Sequence, residues 1–237
     1  MSHSNTYSIH AVIPCAGVGS RAGAAGPKQY AALAGRPLVA HTVEAFLNTP
    51  QIDRTVVVLA PLDDRWPLNE PRLDVVRQGG DTRAQSVQAG LAHLLATGAK
   101  PDDWVLVHDA ARCLIQPCDI ERLILTCVRE DRGGLLAMPL ADTLKQADGS
   151  GQVRETVDRA HKWLAQTPQM FRLEALLQAL SGTLSGITDE ASAMERQGEM
   201  PLLVEGSVTN FKVTYPGDFG LAEAVLAARA NAQKGHT

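Results

Sequence analysis

Ile9-His-Ala-Val-Ile-Pro-Cys-Ala-Gly-Val-Gly-Ser-Arg21, continued by Pro27-Lys28-Gln29, is the stretch on which the reading of this chain turns. Ile9 to Ile13 is a short β-branched run and reads as a buried strand. Pro14 ends it, because proline has no N–H to give a sheet ladder. Ala16-Gly17-Val18-Gly19 then strips away side chains, so the backbone can turn tightly and bring its N–H groups against an anion. Arg21 and Lys28 follow. A glycine-rich turn after a first strand, carrying two fixed cations, suits a polyphosphate.

Gly17-Val-Gly19-Ser-Arg-Ala22 also fits the dinucleotide fingerprint G-x-G-x-x-G/A. That fingerprint wants an acidic residue about 20 positions on, at the end of the second strand. Glu44 is the candidate, yet it lies inside an expected helix, Pro37 to Asn48. A dinucleotide loop relies on backbone and helix dipole, which leaves Arg21 and Lys28 surplus. A plain turn with incidental glycines leaves them unexplained as well. The phosphoryl P-loop is absent, since no Gly-Lys-Ser/Thr follows at its spacing.

Outward from this stretch the chain alternates. Arg54 to Ala60 and Trp104 to His108 are continuous apolar runs, as in strands covered on both faces by crossover helices. Leu73 to Arg77 and Leu135 to Pro139 read as further strands. Helices are expected from about Ala84 to Thr97, from Pro117 to Asp131, and from Pro216, which opens a final alanine- and leucine-rich helix. Strand-helix alternation implies parallel pairing with right-handed crossovers. The expected fold is therefore α/β, a doubly wound, mostly parallel sheet, in a single domain over residues 1–237. The rhythm breaks at Asp142. Residues 142–159 alternate polar and apolar about Asp148-Gly149, a hairpin signal. An isolated hairpin is marginal in water, so this β-arm should lie on the body or on a second subunit. Leu164 to Pro168 leads into a helix from about Leu173 to Leu180, and Thr188-Asp189-Glu190 precedes another. Leu202 to Val204 and Phe211 to Thr214 read as short strands.

Bulk properties bound the function. The 237 residues are 45% hydrophobic and 20% charged, an ordinary globular balance. Three Trp, three Tyr and four Phe leave the core to aliphatic side chains and alanine. A net charge of −4 argues against broad binding to nucleic acid or to an anionic membrane. Cys15, Cys113, Cys118 and Cys127 form no C-x-x-C pair, so zinc is not expected and reduced thiols in a cytoplasmic protein are. Met1 to Ser8 is polar, without the apolar region of a secretory signal. No apolar run approaches the ~20 residues of a membrane span.

Ligands of open parallel sheets bind beyond the carboxyl ends of the strands. The Gly17 loop, then Gly80, Asp81 and Arg83, then Asp109 and Arg112, then Asp142-Thr143 each follow a strand. Asp109 is the candidate metal ligand, since a carboxylate beside a polyphosphate can hold Mg²⁺ through oxygen; a helix or turn cap is its structural alternative. Arg83 suits a phosphate or a helix face, and Ser86 a helix start. His108 reads as structural, because neighbouring strand side chains point to opposite faces. No G-x-S-x-G elbow or H-E-x-x-H pair supports serine hydrolase or zincin chemistry.

Pro14-Cys-Ala-Gly-Val-Gly-Ser-Arg21, Pro27-Lys28-Gln29-Tyr30, Gly80-Asp81-Thr-Arg83-Ala-Gln-Ser86-Val87, Val107-His-Asp109-Ala-Ala-Arg112, Thr167-Pro-Gln, Thr188-Asp-Glu-Ala-Ser192 and Lys212-Val-Thr occur in that order. Together they resemble the 2-C-methyl-D-erythritol 4-phosphate cytidylyltransferases of the non-mevalonate isoprenoid pathway. The resemblance implies transfer of CMP from CTP to the methylerythritol phosphate, with release of pyrophosphate and Mg²⁺ as cofactor. By similarity Arg21, Lys28, Arg159 and Lys212 are catalytic. Ala16, Gly17, Gly19, Gly80, Asp81, Arg83 and Ser86 bind CTP. Asp109, Arg112, Thr143, Arg159, Thr167 and Lys212 bind the alditol phosphate, and Asp109 also holds the metal. The resemblance further implies a homodimer in which the 142–159 arm is exchanged, with Arg159 completing the partner's site. Neither nucleic acid nor membrane is an expected partner. Another alditol-phosphate cytidylyltransferase, such as one for ribitol 5-phosphate, is the nearer alternative; a dinucleotide oxidoreductase and a non-catalytic nucleotide-binding module are the distant ones. The chain departs from the family pattern at Cys15, Ala22 and Cys113, none of which removes a charge; Cys15 would make the loop sensitive to oxidants.

Overall fold

The computed structural model describes residues 7–17, 26–182 and 186–234. Strand β1, Ile9–Pro14, is followed by the two-residue strands β2, Ala32–Leu33, and β3, Arg36–Pro37, and by helix α1, Leu38–Leu47. Next come β4, Arg54–Val58, β5, Leu73–Val76, α2, Arg83–Ala96, β6, Trp104–Val107, α3, Pro117–Glu130, and β7, Gly134–Pro139. The arm is β8, Leu144–Ala147, with β9, Val153–Val157. The chain closes with β10, Trp163–Arg172, α4, Leu173–Leu180, α5, Glu190–Glu195, β11, Leu202–Glu205, and α6, Pro216–Lys234.

Seven strands form one sheet in the order β11-β7-β10-β6-β1-β4-β5. The pairs β1/β4, β1/β6, β4/β5 and β11/β7 are parallel. Strand β1 sits at the centre because alternate side chains serve two cores. Ile9, Ala11 and Ile13 pack under α1 and α3 with Phe46, Leu123 and Ile124. Val12 faces the other way, among Val87 and Leu91 of α2 and Leu176 of α4. Both layers are apolar, which is why these strands carry no polar alternation.

Strand β10 is antiparallel to both β6 and β7. The arm explains this exception. It returns the chain directly beside β7 with no crossover helix, and a return of that kind yields only antiparallel pairing. The β7–β10 register shifts between Ala165 and Gln169, around the cis Thr167–Pro168 bond. Pro168 could not have served a ladder there.

The expected β-arm is present as its own two-stranded sheet, turning where Asp148 Oδ1 accepts from the N–H groups of Ser150 and Gln152 at 2.9 Å each. Two expectations are corrected. Pro37 is the residue before α1 rather than its first helical residue. Phe211 to Thr214 is not a strand: the Val213 N–H goes to the Ala111 carbonyl at 2.9 Å, in the turn after β6, where no strand offers a ladder. Its alternation reflects Val213 entering a small third core with Leu33, Leu38 and Cys113.

Candidate active site

A cavity of about 610 Å³ opens beyond the carboxyl ends of β1, β4 and β6. Its wall is built by two glycine turns that touch. A Cβ placed on Gly79 would lie 2.3 Å from Ala16 Cβ and 2.7 Å from the Leu59 carbonyl oxygen, so only glycine lets the second turn close on the first. Helix α2 then starts at the cavity with a capping box, in which Thr82 accepts from the Gln85 N–H and Gln85 from the Thr82 N–H. Its N-terminus brings positive dipole to the wall.

Among the expected site residues, Ala16, Gly17, Lys28, Gly80, Asp81, Arg83, Ser86, Asp109 and Lys212 all line this cavity. Gly19 and Arg21 lie outside the described residues. Lys28 is carried by a 3-10 turn, Lys28–Tyr30. That turn is pinned by Gln29 Nε2 donating to the Cys15 carbonyl at 2.9 Å and by Tyr30 Oη donating to Asp63 at 3.0 Å. Lys28 Nζ donates to the Val213 carbonyl, next to Lys212.

Asp109 is the electrostatic centre. Oδ1 meets Arg83 Nε at 2.7 Å and Oδ2 meets Lys212 Nζ at 2.8 Å, with Arg112 Nε at 3.9 Å. Burial alone would raise its carboxyl; Arg83 and Lys212 outweigh that and hold it well below the usual carboxylate range. Arg83 is doubly committed, because its Nη1 and Nη2 donate to Glu190 at 2.5 and 3.0 Å. Burial would weaken the Arg83 charge, but Glu190 and Asp109 raise its pKa and keep it cationic.

His108 is structural, as its strand position implies. It is fully buried, and that burial lowers its pKa to about 3. Nε2 lies 3.2 Å from the Arg112 carbonyl, which can only accept, so Nε2 carries the proton. Nδ1 then accepts from the Thr167 hydroxyl at 3.1 Å.

Four expected substrate residues are not on this wall. Thr167 is buried, and its oxygen already accepts from the Asp109 N–H at 3.0 Å, so within this chain it positions Asp109. Thr143 and Arg159 are exposed at the base of the arm, and Arg159 donates to the Ala141 carbonyl. Arg112 stands one layer back, donating to the Asn210 carbonyl at 2.8 Å. The expected oxidant sensitivity of Cys15 is not supported: the residue is buried, and burial pushes its thiol far up, leaving no reactive thiolate.

Several site-building residues escaped the sequence reading. Asn210 Nδ2 donates to the Thr167 carbonyl at 2.8 Å and to Gln166 Oε1 at 3.1 Å, hanging the Lys212 segment on the irregular part of β10. Gln169 donates to Asp189 at 2.8 Å and accepts from the Ala191 N–H at 2.7 Å, fixing the start of α5 and with it Glu190. Glu190 after an Asp N-cap looks like ordinary dipole compensation, and nothing local signals its Arg83 partner.

The model of the family described as IspD, 2-C-methyl-D-erythritol 4-phosphate cytidylyltransferase, matches residues 9–228. The chain is 59% identical over 225 residues to a bifunctional IspD/IspF enzyme of Albidiferax ferrireducens, covering 93% of this chain but only 53% of that protein. It is 52% identical over 225 residues to the 2-C-methyl-D-erythritol 4-phosphate cytidylyltransferase of Chromobacterium violaceum, covering 92% of this chain and 98% of that one. A crystal structure of a 4-diphosphocytidyl-2C-methyl-D-erythritol synthase superposes with a TM-score of 0.83 at 41% identity, over 94% of this chain and 100% of that chain. With a mostly parallel α/β sheet and two glycine turns closing on a cationic cavity, the chain belongs to the 2-C-methyl-D-erythritol 4-phosphate cytidylyltransferase family of nucleotidyltransferases.

Proposed function

We propose that this chain transfers CMP from CTP to 2-C-methyl-D-erythritol 4-phosphate, giving the CDP-alditol and pyrophosphate. The observation that carries the reading is the gathering of Lys28, Lys212 and Asp109 on one cavity wall, beside glycine turns that leave backbone exposed. A phosphate oxygen of the alditol attacks the α-phosphorus of CTP in line. The new P–O bond forms as the bond to the β-phosphate oxygen breaks, and pyrophosphate leaves. No protein nucleophile is needed. The nearby candidates are unsuited to the part: Cys15 is held as thiol, and the Ser86 hydroxyl donates to the Thr82 carbonyl at 3.1 Å.

What the residues supply is preplaced charge. Developing negative charge on the phosphorus oxygens is met by Lys28 and Lys212, and Arg21 joins them by similarity. Such donors cost little reorganisation during the reaction. Asp109 fits a magnesium ion as donor, being an anionic carboxylate on the cavity wall, where Asp81 is the other carboxylate among the described lining residues. A magnesium ion is commonly held by one or two carboxylates together with substrate phosphates. Bound there, it would neutralise the triphosphate and the leaving pyrophosphate. Lys212, now on Asp109 Oδ2, would turn toward substrate phosphate.

The proposal includes a homodimer with exchanged arms. Its support is that Thr143 and Arg159 are exposed on the arm and lie off the cavity of their own chain. It also includes a cytoplasmic setting, which the free state of all four cysteines favours. No helix among the described residues is long and apolar enough to cross a membrane.

The test is pyrophosphate release with Mg²⁺, comparing CTP with other nucleoside triphosphates and methylerythritol 4-phosphate with ribitol 5-phosphate. Release with CTP and methylerythritol phosphate is expected. Release with CTP and ribitol phosphate alone would overturn the substrate and keep the mechanism.

A further inference from the structure

We propose that Glu190 is a positioning residue for this reaction: it holds both Nη groups of Arg83 and thereby fixes the orientation in which Arg83 Nε meets Asp109 Oδ1. The inference rests on the function proposed above for its kinetic arm, but its geometric basis is independent of that function. A guanidinium offers two edges to carboxylates. Glu190 takes Nη1 and Nη2 at 2.5 and 3.0 Å, leaving Nε for Asp109 Oδ1 at 2.7 Å. With its outer edge held on Glu190, the guanidinium keeps its Nε edge turned to Asp109, where Oδ1 takes Nε and Oδ2 is taken by Lys212 at 2.8 Å.

Glu190 can impose this because it is itself immobilised. It is 1% exposed, so water does not compete for it. Its helix start is tied to β10 by the two Gln169 hydrogen bonds and by the Asp189–Ser192 capping box. The chain of contacts therefore runs from β10 through α5 and Arg83 to the carboxylate on the cavity wall. Thr167 holds the Asp109 backbone from the same strand. A second strand-borne anchor thus fixes the side chain that the first fixes at the main chain. Without the Glu190 charge, the Arg83 guanidinium is free to turn, and Asp109 Oδ1 loses the donor that holds its direction at the cavity wall.

The experiment compares wild type, Glu190→Gln, Glu190→Asp, Arg83→Met and the Arg83→Met/Glu190→Gln double variant, each checked for folding by thermal melting. Two quantities are read: steady-state kinetics with CTP and methylerythritol phosphate, and the Arg83 Nε–H cross-peak in a ¹H–¹⁵N spectrum, assigned by its loss in Arg83→Met. Folded Glu190→Gln should lower kcat about tenfold to a hundredfold, with KM for CTP changed less than about threefold. It should also shift the Arg83 Nε–H resonance. Glu190→Asp should recover part of both, and the double variant should be no slower than Arg83→Met. A Glu190→Gln protein that melts lower yet keeps kcat and the cross-peak would overturn the proposal, as would additive losses in the double variant. If wild type releases no pyrophosphate, the assigned reaction fails while the cross-peak comparison still decides the Glu190 geometry.

Discussion

Asp109 shows how one carboxylate can be both buried and ionised. Desolvation acts to protonate it, and Arg83 and Lys212 win because each contacts a different oxygen at under 3 Å. Lys212 is the more expendable for folding, since its side chain is 40% exposed. Lys212→Met should therefore leave a folded protein whose turnover falls about 100-fold or more, the usual loss for one preplaced donor. Steady-state kinetics beside a melting curve would check it; a loss of fold with the activity would contradict the division of roles.

At the scale of elements, α2 shows packing overriding propensity. Glycine inside a helix normally costs about 1 kcal/mol relative to alanine. At Gly90, however, an added Cβ would sit 2.6 Å from Val12 Cγ1 and 3.0 Å from Val58 Cγ2. Overpacking of that kind costs about 1–3 kcal/mol, so Gly90→Ala should destabilise in spite of the propensity gain. Urea unfolding would measure it; a more stable variant would mean that α2 can lift off the sheet freely. The arm is the second element with a testable consequence. If it crosses to a partner, mixing Arg159→Ala subunits with Lys28→Ala subunits creates mixed dimers with one intact site, and activity should reappear. Mixtures no more active than either parent would place Arg159 in its own subunit's chemistry.

Across the whole molecule, buried imidazoles tie stability to pH. His10 lies at 3.3 Å from Asp103 and is 3% exposed. Burial lowers its pKa, and the opposing pull of Asp103 does not reverse this. The unfolded chain thus takes up the proton first as pH falls, near the ordinary value of about 6.5. Stability is accordingly complete above that value and declines below it. The melting temperature should drop between pH 7 and pH 5, and His10→Gln, which keeps a partner for Asp103, should show a shallower drop. Equal slopes in the two proteins would remove His10 from that account.

The sequence alone determined what depends on neighbours along the chain. The β-branched runs specified the buried strands, and the glycine stretches with the cations beside them marked residues that line the cavity. Asp148-Gly149 specified the hairpin, because turn chemistry is local. The gathering of Arg83 and Asp109 followed from the rule that ligands sit at strand ends, Lys28 was marked by its place after the glycine loop, and Lys212 by the family resemblance alone. Only the tertiary structure decided the rest. That β10 runs antiparallel depends on how the arm returns the chain. Phe211 to Thr214 looks like a strand and is not one, because a strand needs a neighbour. Arg83 became the contact on Asp109, and Glu190 the hold on Arg83, because residues 107 positions apart meet where the Glu190 carboxylate is buried. There an unpaired charge is costly and a partner is required, and no spacing along the chain records which partner that will be.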